Sequence, residues 1–255
     1  MKTKKYLSGS YAFKSDIGRV RLNNEDRVCA LTSLKGDVLL IVCDGMGGSK
    51  KGDLASSLAV DFICDAFRER KNSFIFRTAA MYWLASTIRK ANKLIYDEGQ
   101  THEEYANMGT TLTAVLIVKN FMVIAQIGDS RAYTIKDGKL YQLTEDQSYV
   151  AYLYRTGQIT ASEMETHPKR HMLMNALGIY PSVEIDMRIM NYNNNPLLLC
   201  SDGLYNNVPL LDIESVMKSS DTVNQKVDEL IVIANNNGGS DNIGVVIWES
   251  DENAA

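Results

Sequence analysis

The chain has 255 residues, 45% of them apolar and 23% charged, with a formal net charge of −4. That balance excludes a disordered chain and argues against a dedicated nucleic-acid binder. No apolar run reaches the roughly 18 residues that span a bilayer, so no membrane segment is expected. The basic start, MKTKKYLSGS, is not followed by the apolar stretch of a signal peptide, and a cytoplasmic location is expected. Cys29, Cys43, Cys64 and Cys200 have no C-x-x-C spacing and lie in apolar contexts, which reads as buried, reduced thiols. There is no low-complexity linker and no repeat, and only four prolines occur. The expectation is one domain over about 8–249, with short frayed ends and a monomer as default.

In chain order, the first strong signal is VLLIVC at 38–43, a buried strand that ends on Asp44 and a glycine-rich turn. A carboxylate there is costly to bury without a partner. From Asp53, Leu54, Leu58, Phe62 and Ala66 recur at i, i+4, with Ala55, Ala59, Ile63 and Phe67 beside them, which predicts a helix. A second helix over about 74–98 carries Ala80, Trp83, Leu84, Thr87, Ile88, Ala91, Leu94 and Ile95 on one face. Residues 111–118 and 121–127 flank Lys119-Asn120 as an antiparallel hairpin. Residues 131–135 and 139–143 flank KDG, where Gly138 can take positive φ. Val183, Ile185, Met187 and Ile189 alternate with Glu184, Asp186 and Arg188 as a half-buried strand. LLLC at 197–200 and IGVVIW at 243–248 are continuous apolar runs, as central strands are. Val223, Val227, Leu230, Ile231 and Ala234 form a last helical stripe. Hairpins with long amphipathic helices predict an α+β fold, in which two antiparallel sheets stack and helices cover both outer faces, a four-layer α/β/β/α sandwich.

Acidic motifs recur at strand ends and turns: NNED at 23–26, CDG at 43–45, IGDSR at 127–131, LCSDG at 199–203 and GGSDN at 238–242. Any one of them alone reads as turn chemistry. Five in one domain suggest a shared site, because crowded carboxylates repel one another unless cations neutralise them. His102, His167 and His171 lie elsewhere in the sequence, and no histidine or cysteine has ligand-like spacing. An all-oxygen ligand set points to Mg²⁺ or Mn²⁺. Two such ions held by carboxylates usually serve hydrolysis, by activating water and clamping an in-line displacement at phosphorus.

The ordered succession SDIGRVRLNNED, VCDGMGG with the following KGD, MGTTLTAVLI, IGDSRAY, LTEDQS, HPKRHMLMNALG, LLLCSDGL and GGSDNIGVVI resembles the type-2C (PPM) metal-dependent Ser/Thr protein phosphatases, in particular the compact bacterial members. The resemblance covers about residues 8–249. It implies hydrolysis of phosphoserine and phosphothreonine in proteins by a water activated on two metals, opposing a bacterial Ser/Thr kinase. Asp44 corresponds to the carboxylate bridging two ions of Mn²⁺ or Mg²⁺, and Gly45 to the residue lending a backbone carbonyl. Asp202 and Asp241 correspond to further ligands of the first ion, and Asp129 to a ligand of a third ion that shares Asp202. Glu25 and Asp26 match an acidic pair that holds metal-bound waters. Arg21 stands where the family places its phosphate-binding arginine, and a guanidinium fork suits a phosphate dianion. The resemblance makes Arg21, Asp44 and Asp202 the catalytic set, and residues of about 146–180 the family's flap.

Weaker matches leave alternatives open. Gly109-Thr110-Thr111 reads as structural. Arg131 either orients Asp129 or forms a plain surface ion pair. The flap either contacts phosphoprotein substrates or covers a sheet edge. Met46 stands where many animal relatives have a histidine proposed as the leaving-group acid, and Ser49 and Gly52-Asp53 depart from the usual bacterial pattern. The expected partners are phosphorylated proteins, including a cognate kinase and its substrates. The competing readings are a pseudophosphatase that binds without turnover and a narrow hydrolase acting on one signalling partner.

Overall fold

Strand β3 (Val38–Met46) carries the buried run ending at Asp44 and lies inside one of two sheets. The computed structural model describes residues 7–48 and 50–251; Ser49 and the expected frayed termini fall largely outside them. The first sheet runs β2 (Asp26–Thr32), β3, β5 (Leu112–Val118), β6 (Phe121–Ile127) and β9 (Asp186–Asn191), with β4 (Gly109–Thr110) beside the end of β3. The second runs β1 (Gly9–Asp16), β11 (Ile243–Ser250), β10 (Leu197–Cys200), β7 (Arg131–Lys136) and β8 (Lys139–Gln142). These pairings are antiparallel.

Period-two alternation divides the central strands between two cores. Leu40 and Val42 of β3 face Leu197, Leu199 and Val246 of the other sheet. Leu39, Ile41 and Cys43 face outward onto Ala55, Ala59 and Ile63 of α1 (Lys50–Arg68) and Leu84 and Ile88 of α2 (Arg77–Gly99). On the opposite side Leu198, Cys200, Val245 and Ile247 pack on α6 (Leu210–Lys218) and α7 (Val223–Asn236). Each Leu or Ile so buried contributes roughly 1.5–3 kcal/mol. The order of layers is therefore helix, sheet, sheet, helix, as expected.

Two hairpins match their turn signals. Val118 pairs with Phe121 around a two-residue loop in which Lys119 has φ 52°. Lys136 pairs with Lys139 around Asp137-Gly138, both at positive φ, so the loop is one residue tighter than the KDG reading. Strand β9 begins at Asp186, three residues later than the alternation suggested; Val183 and Ile185 pack beside the outer core without joining the ladder. In α1 the fully buried line is Ala55, Ala59, Ile63 and Phe67, while Leu54, Leu58 and Phe62 form its half-buried rim.

Residues 146–180 contain α3 (Tyr149–Arg155) and α4 (Ala161–Thr166). This excursion is tied back by Thr110 and Leu177, which exchange backbone hydrogen bonds of 3.1 and 2.9 Å, and by Asn92 Oδ1, which accepts from Gly178 N at 2.9 Å. Among the described residues no helix is long and apolar enough to cross a membrane.

Candidate active site

The strand ends that carry the acidic motifs meet at one end of the sandwich. Register places Asp26, the first residue of β2, opposite Asp44 on β3. Like charges directly opposite on antiparallel strands are destabilising, so this pairing signals a requirement other than stability. Asp202 follows β10 and opens the short α5 (Asp202–Tyr205), Asp241 precedes β11, and Asp129 lies in the turn between β6 and β7.

The main chain of Asp44 is held firmly. Its N–H donates to Thr111 Oγ1 at 2.9 Å, and its carbonyl accepts from Thr111 N at 2.8 Å and Thr110 Oγ1 at 2.9 Å. The Gly109-Thr110-Thr111 motif is thus structural, as read, but what it positions is Asp44. Gly45 N donates to Glu25 O, and a Cβ on Gly45 would lie 2.2 Å from Gly52 O, so only glycine allows α1 this close. Asn242 joins the two ends of the chain: its Nδ2 donates to Ile17 O and Asn23 O, both at 2.9 Å, and its Oδ1 accepts from Glu25 N at 2.8 Å. Ser201 Oγ donates to Asp26 Oδ2 at 2.5 Å and accepts from Gly244 N. Sequence reasoning missed Asn242 and Ser201; each sits next to a flagged aspartate, and that adjacency was the available signal.

The described residues satisfy the carboxylates only in part: Ser201 serves Asp26 Oδ2, and Asn206 Nδ2 donates to Asp202 Oδ2 at 3.2 Å. Among the described residues none donates to the Asp44 carboxylate, and Glu25 Oε1, Asp26 Oδ1 and Asp202 Oδ1 are buried without a partner. A buried polar atom left so costs about 1–3 kcal/mol, more if charged. Burial raises these acids first, and neighbouring carboxylates add to it, Asp241 for Asp26 and Asp146 for Asp129. Asp26 is pushed up to about 7 and Asp129 to about 6, and Asp44 and Asp202 are raised well above the usual carboxylate range. Glu25 is also raised, chiefly by burial. A set of unpartnered, mutually repelling oxygen donors suits hard divalent cations. Among the described residues no three Asp, Glu, His or Cys side chains close on one point as a finished ligand set. The Asp241 carboxylate is engaged instead by Arg21 Nη2 at 2.7 Å and by Asn242 N at 2.9 Å.

Two sequence expectations need revision. Arg131 neither orients Asp129 by a direct bond nor lies on the surface. Its guanidinium forks onto Asp146 at 2.6 and 3.0 Å and stacks over Tyr205 at 3.6 Å, while Tyr205 Oη donates to Asp129 O. His171 does not lie elsewhere: the 146–180 excursion brings its Nδ1 to 3.9 Å from Asp202 Oδ2.

The profile of the Protein phosphatase 2C family matches residues 18–244. The chain belongs to the protein phosphatase 2C family. The phosphatase is 40% identical over 240 residues to the serine/threonine phosphatase stp of Listeria monocytogenes, covering 94% of this chain and 95% of that one. It superposes on the serine/threonine phosphatase of S. agalactiae with a TM-score of 0.88 at 33% identity, over 94% of this chain and 99% of that chain. It is also similar to the catalytic domain of the phosphatase PstP solved in complex with two manganese ions, with a TM-score of 0.84 at 32% identity, over 96% and 99% of the two chains.

In this phosphatase Arg21 is half exposed at the rim of the acid cluster, where a guanidinium can receive a phosphoryl group while its partner Asp241 turns inward. Arg21→Ala is expected to raise KM for a phosphoserine peptide about tenfold or more, with kcat falling no further than that. Manganese affinity should not fall, because a competitor for Asp241 is removed. Steady-state kinetics with a manganese titration checks both; weakened metal binding at unchanged KM would make Arg21 a scaffold residue.

Proposed function

We propose that the phosphatase removes phosphate from phosphoserine and phosphothreonine in proteins, using Mn²⁺ or Mg²⁺, and so opposes a Ser/Thr kinase. The observation that carries this reading is the Asp44 carboxylate, fixed by its backbone, without a donor among the described residues, amid Asp26, Asp129, Asp202 and Asp241. The residues fit two divalent ions: Asp44 would be shared by both, Asp202 and Asp241 would hold the first, and the Gly45 carbonyl the second. Asp129 with Asp202 would hold a third, and Glu25 and Asp26 would orient bound water. Such ions, when bound, supply the charge that makes water nucleophilic near neutral pH and balances the phosphoryl oxygens.

The chain's own groups do the rest. Arg21 binds the phosphate dianion and orients it over Asp44. Asp26, held by Ser201, and Glu25, held through its backbone by Asn242 and Ser56, keep acceptor oxygens aimed into the site. Met46, two residues after Asp44, provides no proton, so chain groups do not protonate the leaving serine oxygen from that position. Residues 8–249 act as one catalytic domain whose 146–180 flap meets the phosphoprotein. The form proposed is a cytoplasmic monomer.

The test is hydrolysis of an aryl phosphate and of a phosphoserine peptide with Mn²⁺, with Mg²⁺, and after exhaustive chelation. Turnover of both substrates is expected with metal, its loss on chelation, and its return on adding metal back. Undiminished turnover after chelation would overturn the proposal.

A further inference from the structure

Cys29 on β2 and Cys64 on α1 face each other across the seam between strand and helix. Both are free thiols, and their sulfurs lie 3.0 Å apart. That is well inside the about 3.5–4.0 Å at which buried carbon atoms pack. The other cysteines, Cys43 and Cys200, are wholly buried on central strands, and among the described residues neither shares a hydrogen bond with another thiol. Further along the same strand–helix seam, a cavity of about 180 Å³ opens, lined by Leu31, Leu34, Phe67, Arg68 and Arg70. Leu31 is the next residue on the Cys29 face of β2, and Phe67 is the next turn after Cys64 on α1; neither thiol itself lines the cavity. Cys29 is the more accessible of the two thiols, 8% exposed against 2% for Cys64, so a small oxidant meets it first.

We propose that Cys29 and Cys64 are a redox-active dithiol, closed to a disulfide by a hydroperoxide. The Cys29 thiolate attacks one peroxide oxygen. The O–O bond breaks, the other oxygen leaves as water or alcohol with a proton, and Cys29 becomes a sulfenic acid. The Cys64 sulfur then attacks the Cys29 sulfur, and the S–O bond breaks. Hydroxide departs with the Cys64 proton as water. Two thiols give up two electrons and the peroxide accepts both. The local charges agree with this order. The hydrogen bond from Cys64 lowers Cys29, against the opposing effect of burial and with help from Arg68 one turn further along α1, while Asp61 weakly opposes it and Cys64 itself is raised.

The bond would tie together two elements that build the active site at their other ends. β2 begins at Asp26. The first turns of α1 carry Asp53, paired with Arg27 of β2, and Ser56, which donates to Glu25 O. Asp53 precedes Cys64 by eleven residues, roughly 16 Å along the helix. The thiols already touch, so closure fastens helix to strand without moving the site. It also diverts Cys29 from irreversible over-oxidation.

The test treats the manganese-loaded protein with hydrogen peroxide, quenches by alkylation in denaturant, and maps peptides by mass. The expected product is a Cys29–Cys64 linked peptide, two hydrogens lighter than its parts and released by dithiothreitol, with Cys43 and Cys200 alkylated. The oxidised protein should unfold at least about 4 °C above the reduced one and keep its turnover within about twofold, since the site does not move. In Cys64→Ser, whose folding is checked by near-UV circular dichroism, peroxide should leave Cys29 as a sulfenic acid trapped by dimedone, with no thermal gain. Unlinked Cys29 and Cys64 after peroxide, links through Cys43 or Cys200, a lowered unfolding midpoint, or no dimedone adduct in folded Cys64→Ser would each overturn the proposal.

Discussion

Asp44→Asn is expected to lower kcat by on the order of 10³-fold, about 4 kcal/mol of transition-state stabilisation. The change removes one negative charge and leaves the shape of the side chain nearly intact. It also leaves the fold intact, because Thr110 and Thr111 hold the backbone of Asp44 and none of the described residues donates to its carboxylate. Structurally the variant should gain stability in the absence of metal, since a charge disfavoured first by burial and then by Asp26, Asp202, Asp129 and Asp241 is gone. Lost turnover with gained metal-free stability is a signature that a merely structural aspartate would not give. Kinetics at saturating manganese and an unfolding curve in chelator check the two halves. A variant keeping more than about a tenth of wild-type turnover would displace Asp44 from the centre of the reaction.

The second large effect is on stability against pH. A carboxyl raised in the folded state carries no penalty below the unfolded value near 4, where it is protonated in both states. As pH rises, the unfolded chain ionises freely while the folded group resists until its own higher value, so stability is lost across that interval. For Asp26 and Asp129 the interval ends at about 7 and about 6, and for Asp44 and Asp202 it extends higher. Moving Asp26 alone from 3.8 to about 7 corresponds to on the order of 4 kcal/mol once the group is ionised. The metal-free protein should therefore lose stability from about pH 4 to 7 through these groups, and divalent ions should restore it. Glu145, Glu163 and Glu214 shift the other way, but they lie in both forms and cancel in the difference. The gain in unfolding midpoint on adding manganese should be small at pH 5 and roughly 10 °C at pH 8. Scanning calorimetry at the two pH values checks this, and a gain that shrinks with pH would contradict it.

The layers of the sandwich were legible where periodicity is strong. The apolar runs of β3, β5, β6, β10 and β11 and the stripes of α1, α2 and α7 announce themselves because both of their faces, or one continuous stripe, are buried. Strand β1 was not legible: it is an edge strand, and Ala12 is its one fully buried residue, so GSYAFKSD has no alternation to read. Strand β2 was missed because it begins with charged Asp26 and Arg27, which serve the site and its flank rather than the core. The members of the acid cluster were legible as separate acidic motifs at strand ends and turns. Their meeting was not, because the Asp26–Asp44 pairing and the Asn242 clip are long-range facts of register. The destination of Arg131 was hidden for the same reason: Asp146 lies fifteen residues away, across the β7–β8 hairpin.

The most direct test of a two-ion site centred on Asp44 is manganese stoichiometry, by equilibrium dialysis with electron paramagnetic resonance on wild type and Asp44→Asn. The account predicts at least two ions per wild-type chain, with two magnetically coupled through a shared ligand, and loss of both the coupling and tight binding in the variant. One uncoupled ion in the wild type, or a coupled pair that survives in Asp44→Asn, would contradict it.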